Sequence, residues 1–379
     1  DCFARMQVGG FHPDDFTFTC ILKACGNIGL LKKGEEIHSE IGIRQGDFLK
    51  KNIVLGNALL DMYVKCGSLK KAKQVFDEIP ARNLTSWTTL ITGYAQHGLG
   101  DNALKCFLCM QEEGLSPNEV TFASTLKACG VSGSAEKGEE IHARMNKQGL
   151  LERNPILSTA LVDMYAKCGM LKEAREVFDD LLVRDVVSWN ALLAGYAQLG
   201  NIEKIFELYN SMLQDGIRPN RVTFLVLLTL CSHAGLISEG QMYFDTMDTV
   251  YHIAPTLEHY ACMVDLFGRA GHFDKALVVI EKLTPSDRLQ LWMALLGACW
   301  KWVNVELGRQ AFESVLLINE KLAPVYICMR NIYVAAGMHA KAREIEDLRV
   351  KNGAWDVSSV GIWDTFQELD EKVFIPCYD

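Results

Sequence analysis

"LVDMYAKCGMLKEAREVFDDLLVRDVVSWNALLAGYAQLG", residues 161–200, repeats "LLDMYVKCGSLKKAKQVFDEIPARNLTSWTTLITGYAQHG", residues 59–98, without a gap and with more than half of the positions identical. The copies lie 102 residues apart. A catalytic centre is needed once, whereas a duplicated stretch of this kind marks a structural unit that is stacked. Smaller motifs divide the interval. "LKACG" at 22–26 returns at 126–130 and, weakened, as "LTLCS" at 228–232; "SW" at 86–87 returns at 188–189; "DMY" at 61–63 returns at 163–165 and as "VDL" at 264–266. These anchors cut the period into segments 84–118, 119–154 and 155–185, of 35, 36 and 31 residues.

Each segment reads as a helical hairpin. In 84–118, Trp87, Leu90, Ile91 and Tyr94 form one apolar stripe at helical spacing. Ser86 is placed to cap its start and Gly98 to end it. A second stripe follows at Ala103, Cys106, Phe107 and Met110, stopped by Gly114 and Pro117. The copy has Trp189, Leu192, Leu193 and Tyr196, then Leu208, Tyr209 and Met212, stopped by Gly216 and Pro219. A lone pair of such helices cannot cover its apolar faces, but stacked pairs can. The expected fold is all-α: an α-solenoid of stacked helical hairpins forming a right-handed superhelix.

Composition agrees with a packed array. Hydrophobic residues make up 49% of the 379 and charged residues 22%, which argues against disorder. The net charge of −9 argues against charge-driven, non-specific binding to nucleic acid or anionic lipid. No apolar run reaches the ~18–20 residues of a membrane span, so no membrane partner is expected. Thirteen cysteines look like a metal or disulfide signal, but most hold repeat-equivalent places. Cys25, Cys129, Cys231 and Cys299 share one slot, and Cys66 and Cys168 share another. Small buried thiols fit that pattern. Cys106 and Cys109 form a CxxC with no second pair to complete a zinc site. The chain opens on Asp1 in mid-pattern, and a preceding segment is expected.

At "VVSWNALLAGYAQLGNIEKIFELYNSMLQDGIRPN", residues 186–220, the repeat resembles a pentatricopeptide repeat. The alternating lengths resemble the plant P-L-S triplet arrangement. On that resemblance 15–52, 119–154 and 221–256 are L-type units, marked by "LKACG" and "GEEIH". Residues 53–83, 155–185 and 257–288 are S-type, and 84–118 and 186–220 are P-type. Residues 1–14 resemble the tail of a truncated P-type unit, and the array spans 15–288. Residues 289–355, with "LWMALLGACWKWVNVELG" and "VYICMRNIYVAAGMHAKAREIEDLR", resemble two E motifs. The tail 356–379 departs from the family pattern.

The residue after the core Trp points away from the apolar stripe, close to the last residue of the same repeat. These places hold Asn57 with Asn83, Thr88 with Asn118, Thr159 with Asp185, and Asn190 with Asn220. All can donate or accept hydrogen bonds; all could also serve as helix caps. The resemblance implies that each pair reads one RNA base, with Val54, Ile156 and Val187 sandwiching it. Thr85 departs from that aliphatic pattern, and the L-type unit 119–154 offers only Ala123. The implied preference from 53 to 220, read 5′ to 3′, is pyrimidine, A, any, G, pyrimidine. Lys65 and Lys167, at equivalent places, are candidates for phosphate contacts, or else solvated helix-surface lysines.

"HSE" at 38–40 matches half of a zinc deaminase signature, but the P-C-x-x-C half is missing and the equivalent triplet reads "HAR" at 142–144. No nucleophile elbow or P-loop occurs. No catalytic residue, metal or cofactor is therefore expected, and the chain reads as a non-enzyme. The resemblance implies a sequence-specific, single-stranded RNA-binding protein of organellar RNA modification, a site-recognition factor for C-to-U editing. Its location would be a mitochondrion or chloroplast, and a deaminase or other editing factors would join in trans through the E-motif region. The alternatives are an RNA splicing or stability factor and a protein–protein scaffold like a tetratricopeptide array.

Overall fold

The computed structural model describes residues 3, 5–6, 9–45, 52–151, 154–284 and 287–354. The tail 356–379 lies outside the described residues. The chain forms two units, one ending at Asn201 and one beginning at Ile202.

The first unit holds α1 Asp15–Asn27, α2 Leu31–Gln45, α3 Ile53–Lys65, α4 Leu69–Glu78, α5 Leu84–Gln96, α6 Gly100–Glu112, α7 Glu119–Ser132, α8 Ala135–Lys147, α9 Pro155–Lys167, α10 Leu171–Asp179 and α11 Val186–Gln198. The second holds α12 Ile202–Gln214, α13 Arg221–Ala234, α14 Ile237–Thr249, α15 Leu257–Arg269, α16 Phe273–Glu281, α17 Arg288–Lys301, α18 Val305–Ile318, α19 Ala323–Ala335 and α20 His339–Lys351. Among the described residues there is no strand, and no helix is long and apolar enough to cross a membrane. In the first unit α1, α3, α5, α7, α9 and α11 pack each on the next. In the second, α13, α15, α17 and α19 do the same. Each even-numbered helix from α2 to α10, and from α14 to α18, packs on the odd-numbered helices before and after it. Each unit is thus a helical solenoid.

The recurring motifs of the sequence meet at the joints of the stack. The fourth residue of α2, α8, α14 and α18 is Gly34, Gly138, Gly240 and Gly308. Facing each is the tenth residue of the next odd-numbered helix: Met62, Met164, Leu266 and Ile332. A methyl group at Gly34 would overlap Met62 Sδ and lie 2.7 Å from its Cε; at Gly138 the Met164 Cε would lie at 2.6 Å. The Met62 and Met164 side chains are fully buried and cannot swing clear. Gly26 and Gly130 of "LKACG" admit the Cα atoms of the same methionines, 3.2 and 3.5 Å from where a Cβ would stand. So "LKACG", "GEEIH" and "DMY" describe one joint: a methionine seated in a notch that only glycine leaves open.

Other joints use other partners. Gly93 and Gly195 of α5 and α11 face Val64 and Ala166, the twelfth residues of α3 and α9. Gly100 of α6 faces the Ala128 carbonyl of α7, whose oxygen would lie 2.6 Å from a Cβ at that place. The core tryptophans sit edge-on to the preceding hairpin, Trp87 to Phe76 at 4.6 Å and Trp189 to Phe178 at 4.7 Å between ring centroids. The two cysteine slots also meet: Cys66 Sγ donates to the Cys25 carbonyl at 3.8 Å, and Cys168 Sγ to the Cys129 carbonyl at 3.7 Å.

Candidate nucleic-acid interface

The starts of the odd-numbered helices build the site. Asn83, Asn118, Asp185 and Asn220, taken from the sequence as repeat-end residues, are the N-caps of α5, α7, α11 and α13. Each offers Oδ1 to the backbone N–H of the third helical residue: Ser86 at 3.0 Å, Thr121 at 2.9 Å, Ser188 at 2.8 Å and Thr223 at 3.1 Å. This corrects the expectation that Ser86 caps α5. Asn83 is the cap, and Ser86 returns its Oγ to the Asn83 N–H at 3.4 Å as the reciprocal half of a capping box.

Capping occupies one side-chain atom and leaves the other. The Nδ2 groups of Asn83 and Asn118 and Oδ2 of Asp185 have no protein partner among the described residues, and all three side chains are exposed. An asparagine cap therefore turns donors outward, and an aspartate cap turns an acceptor outward.

The fifth helical residues meet these caps in different ways. Asn57 Nδ2 donates to Asn83 Oδ1 at 3.3 Å, and Ser86 Oγ donates to Asn57 Oδ1 at 2.7 Å. Thr88 reaches Asn118 through Thr121: Thr88 Oγ1 lies 2.8 Å from Thr121 Oγ1, which donates to Asn118 Oδ1 at 2.7 Å. Thr159 makes no hydrogen bond to Asp185, although α9 and α11 pack together. Ser188 instead closes on Asp185, accepting its N–H at 3.1 Å and donating to its carbonyl at 2.9 Å. Asn190 is buried in the first unit, with 6% of its surface exposed, and Asn220 belongs to the second.

Apolar side chains flank these groups. Val54, Ile156 and Val187, each second in its helix, are 63%, 73% and 56% exposed. The same place holds Phe16, Val120 and Val222, also exposed and missed in the sequence reading. Their shared register after the cap was the available signal. Also missed were the third residues Thr121, Ser188 and Thr223, which like Ser86 have no exposed surface. In α15 that place is His259, whose Nδ1 lies 2.7 Å from Thr256 Oγ1 and whose Nε2 lies 2.9 Å from the Arg221 carbonyl.

Other features of the sequence have structural uses. Lys65 pairs with Asp61 at 2.8 Å and Lys167 with Asp163 at 2.6 Å, one turn back on the same helix. The histidines of "HSE" and "HAR" bind the tyrosine of the next hairpin: His38 Nδ1 is 2.8 Å from Tyr63 Oη, and His142 Nδ1 is 2.8 Å from Tyr165 Oη. Burial holds both imidazoles below the ordinary histidine value and pushes both phenols up to about 12. Burial likewise pushes the Cys129, Cys231 and Cys299 thiols up to about 12, which leaves them protonated and poor nucleophiles. Among the described residues no group of three His, Cys, Asp or Glu could hold a metal ion.

Comparison with known proteins bears on this arrangement. The PPR repeat family matches residues 82–130 and 184–233, and the PPR repeat matches 16–42, 57–84, 157–186 and 258–284. A pentatricopeptide repeat-containing protein of Arabidopsis thaliana named as mitochondrial is 39% identical over 86% of this chain and 50% of its own length. The chloroplastic pentatricopeptide repeat-containing protein CRR2 of the same plant is 37% identical over 92% of this chain and 53% of its own. The chain spans about half the length of the relatives it matches. Among solved structures, the pentatricopeptide repeat protein PPR10 in complex with an 18-nt psaJ RNA element superposes with a TM-score of 0.58 at 18% identity, over 93% of this chain and 57% of that one.

Proposed function

The chain belongs to the pentatricopeptide repeat family, and from that premise we propose that it is a sequence-specific, single-stranded RNA-binding protein. The observation that carries the reading is the recurring cap. Asn83, Asn118 and Asp185 each commit one atom to the helix and keep one without a protein partner among the described residues, each two residues before an exposed side chain, and Asn57 and Thr88 are hydrogen-bonded to the first two caps, directly or through Thr121. The bases would rest between Val54, Ile156, Val187 and their equivalents. They would be read by Asn57 with Asn83, Thr88 with Asn118, Thr159 with Asp185 and Asn190 with Asn220, one base per repeat.

We extend the reading to organellar RNA modification in a mitochondrion or chloroplast, the compartments named for its relatives. There the chain would select the site of C-to-U editing. Support comes from the P-L-S order of lengths and from hairpins α17–α18 and α19–α20, which would receive a deaminase or other editing factors in trans. The alternative roles, in RNA splicing or stability, would use the same base-reading groups.

Asp185→Asn provides the test. Asparagine caps α11 as well as aspartate does, but it replaces an outward acceptor by a donor. Guanine presents a donor at N1 and adenine an acceptor. The expected outcome is a shift from G towards A at one nucleotide, by roughly tenfold in relative affinity, with the neighbouring positions unchanged. Competition binding with G- and A-substituted oligonucleotides measures it. An unchanged ratio means that Asp185 only caps.

A further inference from the structure

We infer that Thr121 is a positioning residue for base selection: its hydroxyl fixes the direction of the hydrogen bonds that Thr88 and Asn118 present to RNA. This rests on the base-reading role proposed above and explains how one threonine can serve opposite bases in two repeats.

The argument is a count of protons. Asn118 Oδ1 faces the Thr121 N–H at 2.9 Å, so the atom at that place is the amide oxygen. The same oxygen lies 2.7 Å from Thr121 Oγ1, so Thr121 gives it its only hydroxyl proton. Thr121 Oγ1 can then only accept from Thr88, 2.8 Å away. Thr88 is left with its proton turned inward and lone pairs turned outward. Beside it, Asn118 turns outward an Nδ2 group with no protein partner. The pair offers an acceptor next to a donor. The Watson–Crick edge of adenine carries the complement, an amino group beside an acceptor nitrogen, and guanine carries the reverse.

The Thr159 repeat has the opposite wiring. Its third-residue hydroxyl, on Ser188, is spent on the Asp185 carbonyl at 2.9 Å and does not reach Thr159. Thr159 makes no hydrogen bond among the described residues and keeps a proton to give. Asp185 Oδ1 is taken by the N–H groups of Val187 and Ser188 at 3.1 and 2.8 Å, leaving Oδ2 outward. The two residues offer a donor and an acceptor, the set that the edge of guanine requires. The fifth residue is threonine in both repeats. The third residue of the next helix sets which way its hydroxyl points.

The test uses the full chain and fluorescein-labelled RNAs carrying 5′-CAAGC-3′ within oligouridine, with the first A also replaced by G. Thr121→Val keeps the shape and the backbone cap but removes the hydroxyl, so the Thr88 proton is free to turn outward. The A:G preference at that nucleotide should fall about tenfold, the scale of one base contact. Discrimination at the position facing Thr159 and Asp185 should stay as it was. Thr121→Ser, which keeps the hydroxyl, should retain the preference. Thr121→Ala serves the same purpose if the valine variant does not fold. Asn118→Asp separates the two levels of the argument: on the base-reading proposal it moves this nucleotide from A to G. If Asn118→Asp does so while Thr121→Val and Thr121→Ala keep the parental A:G ratio, the role of Thr121 is refuted and base reading stands. If Asn118→Asp changes nothing, base reading itself fails. Equal loss of affinity for both RNAs in the Thr121 variants, at an unchanged melting temperature, also overturns the inference.

Discussion

Val303 carries φ 50°, in the left-handed region, at a turn where the equivalent hairpins have Gly29, Gly133 and Gly235 at φ 70°, 66° and 69°. The turn is otherwise the same: the following N–H bonds back to Cys25, Cys129, Cys231 or Cys299 at 2.9 to 3.0 Å. A β-branched residue there is strained by about 1–2 kcal/mol, while glycine would cost about 0.5–1 kcal/mol in unfolded-chain entropy. Val303→Gly is expected to stabilise the second unit by roughly 0.5–1 kcal/mol, readable by denaturant unfolding. The two core tryptophans make a second contrast. Trp87 Nε1 donates to Glu113 at 2.9 Å, whereas Trp189 Nε1 is buried with no partner among the described residues. Both lose similar area as phenylalanine, but only Trp87→Phe gives up a hydrogen bond to a charged group. Trp87→Phe should therefore be the more destabilising by about 1.5–3 kcal/mol, and equal losses would contradict the assignment.

At the scale of the helix, the sequence alone supports most of the architecture. Apolar spacing and glycine stops marked the hairpins because each was written more than once. The start of α5 was misread at Ser86 because serine is itself a good cap, and choosing between Asn83 and Ser86 needs the backbone. Of the candidate interface, the paired positions were readable from their recurrence. The direction of each hydrogen bond was not, since it depends on contacts between residues such as Thr88 and Thr121 that lie in different hairpins. The role of the glycines in "GEEIH" was equally hidden, because their partners are one hairpin on. Gly138→Ala should cost about 1–3 kcal/mol, as an overpacked core does. Combined with Met164→Ala, which alone should cost about 2–5 kcal/mol, the loss should fall short of the sum, because the methyl enters the space the thioether leaves. Additive losses would argue against the notch.

For the molecule as a whole, the buried histidines predict how stability follows pH. Burial holds His38 and His142 in the first unit and His259 in the second below the ordinary value of 6.5. As pH falls through 6.5 the unfolded chain takes up protons that the folded chain does not. Stability contributed by the neutral imidazoles is thus complete above 6.5, declines below it, and levels off beneath the folded values. The thermal midpoint should be lower at about pH 5.5 than at about pH 7.5, and His142→Gln should flatten part of that slope. A midpoint indifferent to pH across this window would contradict the burial of these rings.

The joints between hairpins carry a consequence for how such a gene can grow. A glycine notch at Gly34 or Gly138 needs a long side chain to enter it, and the tenth residue of α3 or α9 supplies a methionine. The same place in α5 and α11 is Gly93 or Gly195, because Val64 or Ala166 must pass there. At α15 the twelfth residue is itself reduced to Gly268, and it faces Ala298 of α17. Duplicating one hairpin would set a methionine against Val64, or leave a notch empty. Duplicating three restores every joint. A copying event that moves three hairpins together therefore keeps every joint filled, and the two copies in this chain stand three hairpins, 102 residues, apart.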